Sequence, residues 1–143
     1  MPSSLLTPRA SRLIHSARIA HLATADAKGR PHVIPICFIF DGKNFYSPID
    51  EKPKRTTPSK LKRLRNIREN PRVALVVDRY SENWSRLAYA LIVGRARVLQ
   101  RGNTHRQAIR LLRRKYRQYR SMAIDDRPMI SITPQRVVVW GGS

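Results

Sequence analysis

The chain has 143 residues, and its 29 Lys and Arg against 9 Asp and Glu give a formal net charge of +20. Apolar residues make up 41% of it, which excludes a disordered chain and suits one domain over residues 1–143 with a buried core. Such a charge favours anionic binding partners: nucleic acid, an anionic membrane surface, or small molecules that carry phosphate or carboxylate groups.

Segments with apolar residues at helical spacing predict three helices, at residues 7–17, 59–69 and 103–119. Runs rich in β-branched and aromatic residues predict strands at residues 19–25, 31–40, 44–49, 72–80, 86–100, 128–133 and 136–140. The sequence shows no regular alternation of strand and helix and no internal repeat. This order predicts a mainly β fold, a small antiparallel barrel of about seven strands with three helices packed outside it.

Three local signals refine the strands. Pro35 cannot donate a ladder hydrogen bond, so the strand that contains it is expected at a sheet edge or at a bulge. Asp41 and Gly42 form a dipeptide typical of a hairpin turn. Gly94, inside a long apolar run, predicts a bulge in that strand.

The positive charge lies mainly in two blocks. Residues 52–72 contain nine Lys and Arg, and residues 101–120 contain eight with no acid. On a helix that Ser59 caps, the apolar residues Leu61, Leu64 and Ile67 would face inward. Lys62 and Asn66 are then expected on the opposite face, with Arg63 beside the apolar stripe. A solvated basic face is the alternative interpretation of such a charge run.

The second basic block reads "RQAIRLLRRKYRQYRSM" at residues 106–122, and its mixture of Arg and Tyr is typical of surfaces that follow a nucleic-acid backbone. Tyr116 and Tyr119, however, fall on the apolar side of the predicted helix, where core packing accounts for them. A nucleic-acid-binding module therefore stays an alternative function, supported by charge alone.

The reactive residues present limit the kinds of site that the sequence can form. Cys37 is the only cysteine, which excludes an intrachain disulfide and favours a reducing, cytoplasmic location, with a buried, inert thiol. The four His residues lack metal-ligand spacing, so no metal site is predicted. No apolar stretch is long enough for a membrane-spanning helix, and no nucleophile elbow or phosphate-binding glycine loop is present. The acids Asp50-Glu51 and Asp125-Asp126 are expected to be solvated, and no catalytic residue is assigned.

Four segments, in their order along the chain, carry a resemblance to a known family. "ARIAHLATADAKGRPHVIPICFIFDGKNFYSPID" and "KLKRLRNIRENPRVALVVD" resemble the pyridoxamine 5'-phosphate oxidase-like split-barrel family. "NWSRLAYALIVGRARVL" and "LLRRKYRQYR" resemble its deazaflavin (coenzyme F-420)-dependent branch more closely. The resemblance implies a split β-barrel homodimer that holds a flavin or deazaflavin at the subunit interface and performs redox chemistry on a small organic molecule.

The resemblance also implies positions for the cofactor. Lys62 and Arg63 stand where the family binds the cofactor phosphate, and Tyr46 and Ser47 stand at a hydroxyl-bearing position near it. The segment of Pro35, Ile36, Cys37 and Phe38 stands where the family runs its backbone along the ring, although core packing is an equal interpretation for each residue. Arg55, with Lys52 and Lys54, meets either the cofactor tail or only solvent. Trp84 either covers a ring across the dimer or anchors the interface.

Three functions stay open. The first is an oxidoreductase that uses bound coenzyme F-420, with FMN as the close alternative, because the more anionic deazaflavin suits the positive field of the chain better. The scarcity of acids fits chemistry that the cofactor itself performs. The second is the nucleic-acid-binding module, and the third is a cofactor carrier or sensor without turnover. Non-specific binding of polyanions is expected as a secondary property.

Overall fold

The computed structural model describes residues 6–50 and 61–142. Within these ranges the helices and strands are α1 (Pro8–Ser16), β1 (Ala20–Ala25), β2 (Pro31–Ile36), β3 (Ile39–Phe40), β4 (Phe45–Pro48), α2 (Lys62–Glu69), β5 (Arg72–Arg79), β6 (Ala88–Leu99), α3 (Asn103–Lys115) and β7 (Met129–Gly141). Short 3₁₀ turns lie at Trp84–Arg86 and Arg117–Ser121. No helix in the described part of the chain is long and apolar enough to cross a membrane.

The strands form one antiparallel sheet in the order β2-β1-β5-β6-β7-β4-β3. The edge strands β2 and β3 follow each other in the chain, and only Cys37 and Phe38 lie between them. Three residue steps reach at most about 11 Å, so the two edges of the sheet must come close together. The sheet therefore curls into the split barrel that the sequence predicts, and the segment Cys37–Phe38 forms its seam.

Two hydrophobic clusters hold this arrangement. The first fills the barrel and includes Leu22, Phe38, Phe45 and Ile92. The second lies outside the sheet, where α3 packs against Tyr46 and Met129. Because side chains alternate along a strand, Phe45 points into the barrel and its neighbour Tyr46 points under α3.

The predicted number of strands is confirmed, but two boundaries differ. The predicted strand at 31–40 breaks into β2 and β3, because the chain crosses the seam there. The two strands predicted at 128–133 and 136–140 are one strand, β7. Pro134 of β7 pairs with Gly94 at a register shift, where the ladder is interrupted and a missing N–H costs little.

The local signals are confirmed. Pro35 lies on β2, an edge strand, and Gly94 lies at the bulge. A Cβ at Gly94 would lie 2.3 Å from the carbonyl oxygen of Thr133, so the close approach of β7 requires glycine. Asp41 closes the β3–β4 hairpin, because its N–H donates to the carbonyl oxygen of Asn44 at 3.1 Å.

Helix α3 is shorter than predicted, and the reason lies at the seam. It ends at Lys115, and Tyr116 leaves the helical conformation with φ −118° and ψ 114°. The Tyr116 hydroxyl accepts the N–H of Phe38 at 3.1 Å and lies 3.0 Å from the Phe38 carbonyl oxygen and 2.9 Å from that of Arg18. The Lys115 ammonium also donates to Phe38 O, at 2.9 Å. The end of α3 thus satisfies the buried backbone of Phe38, which no strand pairs.

We expect Tyr116→Phe to lower the free energy of unfolding by about 1–3 kcal/mol, because it removes a hydroxyl from buried backbone groups. Tyr46→Phe is the matched control, since within the described ranges the Tyr46 hydroxyl accepts a hydrogen bond only from the Asn44 side-chain amide, at 3.3 Å. Urea denaturation of both variants measures the difference. Equal losses would show that the hydroxyl of Tyr116 does not hold the seam.

Candidate functional site

The segment predicted to flank a cofactor ring alternates between two environments. Pro35 is exposed on the outer side of the edge strand β2, while Ile36 is buried inside the barrel. Cys37 is half-buried against the second cluster, and Phe38 is buried in the first. Core packing therefore accounts for Ile36 and Phe38, and Pro35 and Cys37 are the two members with side chains accessible to a ligand.

Polar groups gather around Cys37. The Tyr119 hydroxyl donates to Asp50 Oδ2 at 2.5 Å, and Cys37 packs against the hydrophobic cluster that contains Tyr119. The Lys115 ammonium lies 3.9 Å from the centroid of the Phe38 ring, a cation–π contact. Asp50 was expected to be solvated, but it is half-buried and bound to Tyr119. We refer to Cys37, Asp50, Lys115, Tyr116 and Tyr119 as the seam cluster.

Burial decides the charge state of this cluster. Desolvation raises the pKa of Tyr116 to about 12 and, with the hydrogen bond to Asp50, raises the pKa of Tyr119 as well. Desolvation, followed by repulsion from Arg18, lowers the pKa of Lys115 to about 8. Both tyrosines are thus neutral near physiological pH, and Lys115 is the group whose charge changes closest to that range.

Tyr46 and Ser47, predicted near a phosphate, lie on opposite faces of β4. Tyr46 is 4% exposed and faces the underside of α3, while Ser47 is 2% exposed. Ser47 pairs with Ile130, whose side chain belongs to the cluster inside the barrel. Within this chain the two hydroxyls are therefore not brought together.

The predicted phosphate residues lie near the turn between β1 and β2. The Lys62 ammonium is 3.8 Å from Asp26 Oδ2, and 45% of its side chain is exposed. Arg63 is only 5% exposed, and Asn66, expected on the solvent face, is fully buried. The Asn66 amide donates to Thr24 Oγ1 at 3.0 Å, which ties α2 to β1 on a second side and explains why its buried face is wider than the apolar stripe predicts.

Asp26 organises this turn. Its carboxylate accepts the backbone N–H groups of Lys28 and Arg30, both at 2.9 Å, and the Arg30 side chain at 2.6 Å. These hydrogen bonds, that of the Arg30 backbone foremost, lower the pKa of Asp26 to about 2. Asp26 is therefore ionised near neutral pH and already neutralised by Arg30, which leaves the Lys62 ammonium only a long contact with it.

The structure places these two groups of residues apart. Pro35 pairs with His21, and Asp26 follows the end of β1 five residues after His21, roughly 17 Å away at strand spacing. A ligand that reaches both must extend along the β1–β2 hairpin or be shared between subunits. Arg55, Lys52 and Lys54 lie outside the described residues, as does the predicted cap Ser59.

The outer face of the sheet is largely apolar. Pro35, His21, Val76, Leu91 and Val138 stand opposite one another across β2, β1, β5, β6 and β7. The next row contains Asp78, Tyr89 and Trp140. The rings of Tyr89 and Trp140 stack at 5.9 Å and are 39% and 51% exposed. We call this surface the outer sheet face. Trp84, in the β5–β6 connection, is 71% exposed and contacts none of the seam cluster in the described structure.

The sequence pattern described as pyridoxamine 5'-phosphate oxidase matches residues 6–141. The chain belongs to this family. A curated relative, a 5a,11a-dehydrotetracycline/5a,11a-dehydrooxytetracycline reductase of Streptomyces rimosus, is 30% identical over 121 residues, which are 84% of this chain and 72% of the relative.

Solved structures share the fold of this oxidase-family chain. An F420 reductase superposes with a TM-score of 0.65 at 21% identity, and the match covers 93% of this chain and 98% of the reductase chain. The heme storage protein HutZ of Vibrio cholerae superposes with a TM-score of 0.70 at 16% identity, covering 92% of this chain and 90% of its own. The predicted family and the split-barrel fold are confirmed.

The seam cluster was missed by the sequence interpretation, which assigned Tyr116 and Tyr119 to core packing. They do pack in the core, but their hydroxyls also reach the seam and Asp50. A buried tyrosine hydroxyl needs a hydrogen-bond partner, and that requirement was the available signal. No group of His, Cys, Asp or Glu in the described ranges is arranged to hold a metal ion.

We expect Lys115→Met to change how stability depends on pH. The pKa of Lys115 is about 8 in the folded chain, against an ordinary lysine value of 10.5, so between these values the unfolded chain binds the extra proton. Its contribution to stability therefore grows as the pH rises from about 8 to 10.5. Urea denaturation across this range should show the free energy of unfolding of the wild type rising relative to that of the variant. If the two free energies changed in parallel with pH, the lowered pKa of Lys115 would be contradicted.

Proposed function

We propose that this chain is an oxidoreductase that binds a flavin-type cofactor and reduces a small organic molecule. The observation that carries the proposal is the family match over residues 6–141 together with a reductase at 30% identity. The structure supplies a compatible surface, because Pro35 and Cys37 are accessible where the seam meets the outer sheet face. When bound, the cofactor ring supplies the hydride, and the chain binds, orients and shields it.

The described residues fit the two ends of such a cofactor unequally. Lys62 fits a phosphate, because its ammonium is accessible and it begins α2, whose first turn has no side-chain cap. Arg63 is buried, so it supports α2 from beneath rather than presenting its guanidinium to solvent. Pro35 and Cys37 offer a flat, largely apolar edge to a ring, and the seam cluster keeps the backbone of Phe38 in place behind it.

Coenzyme F-420 is the cofactor that we favour, with FMN as the alternative. Both carry a phosphate, and the deazaflavin adds a polyglutamate tail whose charge suits a chain of net charge +20. One solved structure of this fold is an F420 reductase. A carrier without turnover is the second candidate, because a heme storage protein shares the fold.

The working form that we propose is a homodimer paired through the outer sheet face. A largely apolar sheet surface that ends in exposed aromatic rings is typical of a protein–protein interface. Tyr89 and Trp140 would lie within it, and Trp84 lies on the connection beside them, where it can reach the partner. Such pairing would also place Pro35 between subunits, since it shares a row with Val76 and Leu91.

The cofactor prediction is tested with protein purified without added cofactor. We expect its absorption spectrum to show a deazaflavin or flavin band, and titration to show tighter binding of coenzyme F-420 than of FMN. Lys62→Ala should weaken binding roughly ten- to a hundredfold, since a charge-assisted phosphate contact is lost. Arg68→Ala, an exposed change of equal charge on the same helix, is the matched control.

The outcomes separate the candidates. Salt-resistant loss in Lys62→Ala but not in Arg68→Ala places the phosphate at Lys62. Equal losses that salt removes would mean that the basic stretch acts only as a diffuse field. Binding without reduction of any substrate tested would favour the carrier, and the absence of binding would contradict both functions.

The dimer prediction is tested with Leu91→Glu, which places a charge in the middle of the outer sheet face. We expect light scattering to show a dimer for the wild type and a monomer for this variant, because an unpaired buried carboxylate opposes association. Gln107→Glu on α3 adds the same charge at an exposed position and should stay dimeric. A wild-type monomer at micromolar concentration that still binds cofactor tightly would rule out a shared site.

A further inference from the structure

Helix α3 has two faces with different tasks. Ala108, Ile109 and Leu112 are buried and join the cluster beneath the helix. Arg106, Arg110 and Arg114 recur at every fourth position on the other side, and all three are exposed. Positions four apart share one face and are about 6 Å apart along the axis. They form a row that is inclined to the helix axis, which we call the arginine row.

The row is held without neutralising partners. The side chains of Arg110 and Arg114 make no hydrogen bond or ion pair with any described residue, and the Arg106 side chain bonds only to the Asn103 side chain among them. Like charges four residues apart destabilise a helix, and α3 has no acid in its first turn to offset them. The helix dipole favours Arg114, which lies in the last turn, but it disfavours Arg106 near the first turn, so the intrinsic stability of the helix does not account for the row as a whole.

Neighbouring arginines show what a structural role looks like here. Arg113 pairs with Asp125 at 2.6 Å and donates to the carbonyl oxygens of Tyr119 and Met122. Arg120 donates to the carbonyl oxygens at the end of α3. The side chains of Arg113 and Arg120 are therefore bonded within the fold, whereas those of the arginine row project outward.

Two described acids lie near the row, and one of them, Asp125, lines a cleft with Arg106 and Arg110 but is already paired with Arg113. Asp41 lines a cleft of about 260 Å³ together with Arg110 and Arg114. Its carboxylate accepts the backbone N–H groups of Lys43 and Asn44 at 2.9 and 2.8 Å. The single charge of Asp41 cannot balance three arginines, to which the exposed Arg101 and Arg117 add further positive charge at the helix ends. The face therefore stays strongly positive.

We propose that the arginine row binds the sugar–phosphate backbone of duplex nucleic acid, without sequence selectivity. Guanidinium groups bind phosphate bidentately, and a row of them along one helix can follow successive phosphates of a strand. Binding is expected to depend on charge, because neutralising phosphates releases condensed counterions.

Two other polyanions fit less well. A helix that binds a membrane surface inserts an apolar face, but the apolar face of α3 is covered by the sheet. Single-stranded nucleic acid is held by stacking bases on accessible aromatic rings, but Tyr116 and Tyr119 are 7% and 2% exposed. The exposed aromatic residues of the described structure, Tyr80, Trp84, Tyr89 and Trp140, all lie outside α3 and its following turn. The row thus offers charge alone.

The surface is also separate from the proposed cofactor and dimer surfaces. α3 packs on β3, on Tyr46 of β4 and on Met129 of β7, and not on the outer side of β1 and β5. Pairing through the outer sheet face would leave both arginine rows exposed. This inference is therefore independent of the proposed redox function, and either can fail alone.

The test uses a fluorescein-labelled DNA duplex of about 20 base pairs and fluorescence anisotropy, with potassium chloride from about 50 to 300 mM. The variant replaces Arg106, Arg110 and Arg114 by Gln, which keeps helix propensity. The matched control replaces Arg12, Arg65 and Arg68 by Gln, three exposed residues on α1 and α2 with the same total charge change. Both variants are also followed by thermal melting.

We expect the row variant to bind at least tenfold more weakly near 100 mM salt, with the slope of log K against log salt reduced by about 2 to 3. The control should lose much less and keep most of the slope. The row variant should melt no lower than the wild type, because repulsion within α3 is removed.

Equal losses in the two variants would overturn the proposal, because they would show a diffuse field rather than a site. Sequence-selective binding that persists at high salt would overturn its non-selective form. Absence of duplex binding by the wild type would overturn it as well. If anionic vesicles instead bound the wild type and released the row variant, the row would be a membrane contact.

Discussion

The structure depends on a connection of two residues. β2 and β3 are the opposite edges of a seven-stranded sheet, yet only Cys37 and Phe38 separate them in the chain. The sheet must therefore curl until its edges meet, and the backbone at the meeting point has no strand to pair with. Lys115 and Tyr116 supply the missing partners of Phe38 from outside the barrel. Their contacts explain why α3 ends where it does and why it packs across the seam.

The seam joins the fold to the candidate site. The groups that satisfy the Phe38 backbone adjoin Cys37, Tyr119 and Asp50, so the cluster that closes the barrel also lines its accessible edge. Burial keeps both tyrosines neutral and lowers the pKa of Lys115 to about 8. Stability of the barrel and chemistry beside the seam are thus expected to share a dependence on pH.

The basic side chains of this protein fall into two groups: those that are buried or bonded within the fold, and those that remain accessible. Arg63 and Arg113 belong to the first group. Arg63 is buried on the inner side of α2, and Arg113 is bonded to Asp125 and to carbonyl oxygens. Lys62 and the arginine row remain accessible. A net charge alone does not distinguish these groups, because attraction to anions at long range is similar for all of them. Burial and hydrogen bonding distinguish the accessible cations from those that are bonded within the fold.

The sequence alone determined the family, the strand number, the edge position of Pro35 and the bulge at Gly94. The family rests on the resemblance of four segments, and the other features follow from local chemistry: a missing N–H, which left Pro35 an edge or a bulge, an absent side chain, and the spacing of apolar residues. The break between β2 and β3, the continuity of β7 through Pro134 and the burial of Arg63 and Asn66 were decided by tertiary structure. They arise where distant elements meet, as at the seam, at the Gly94–Pro134 pair and between α2 and Thr24. The seam cluster joins residues 37, 50, 115, 116 and 119, and only the curling of the sheet brings them together.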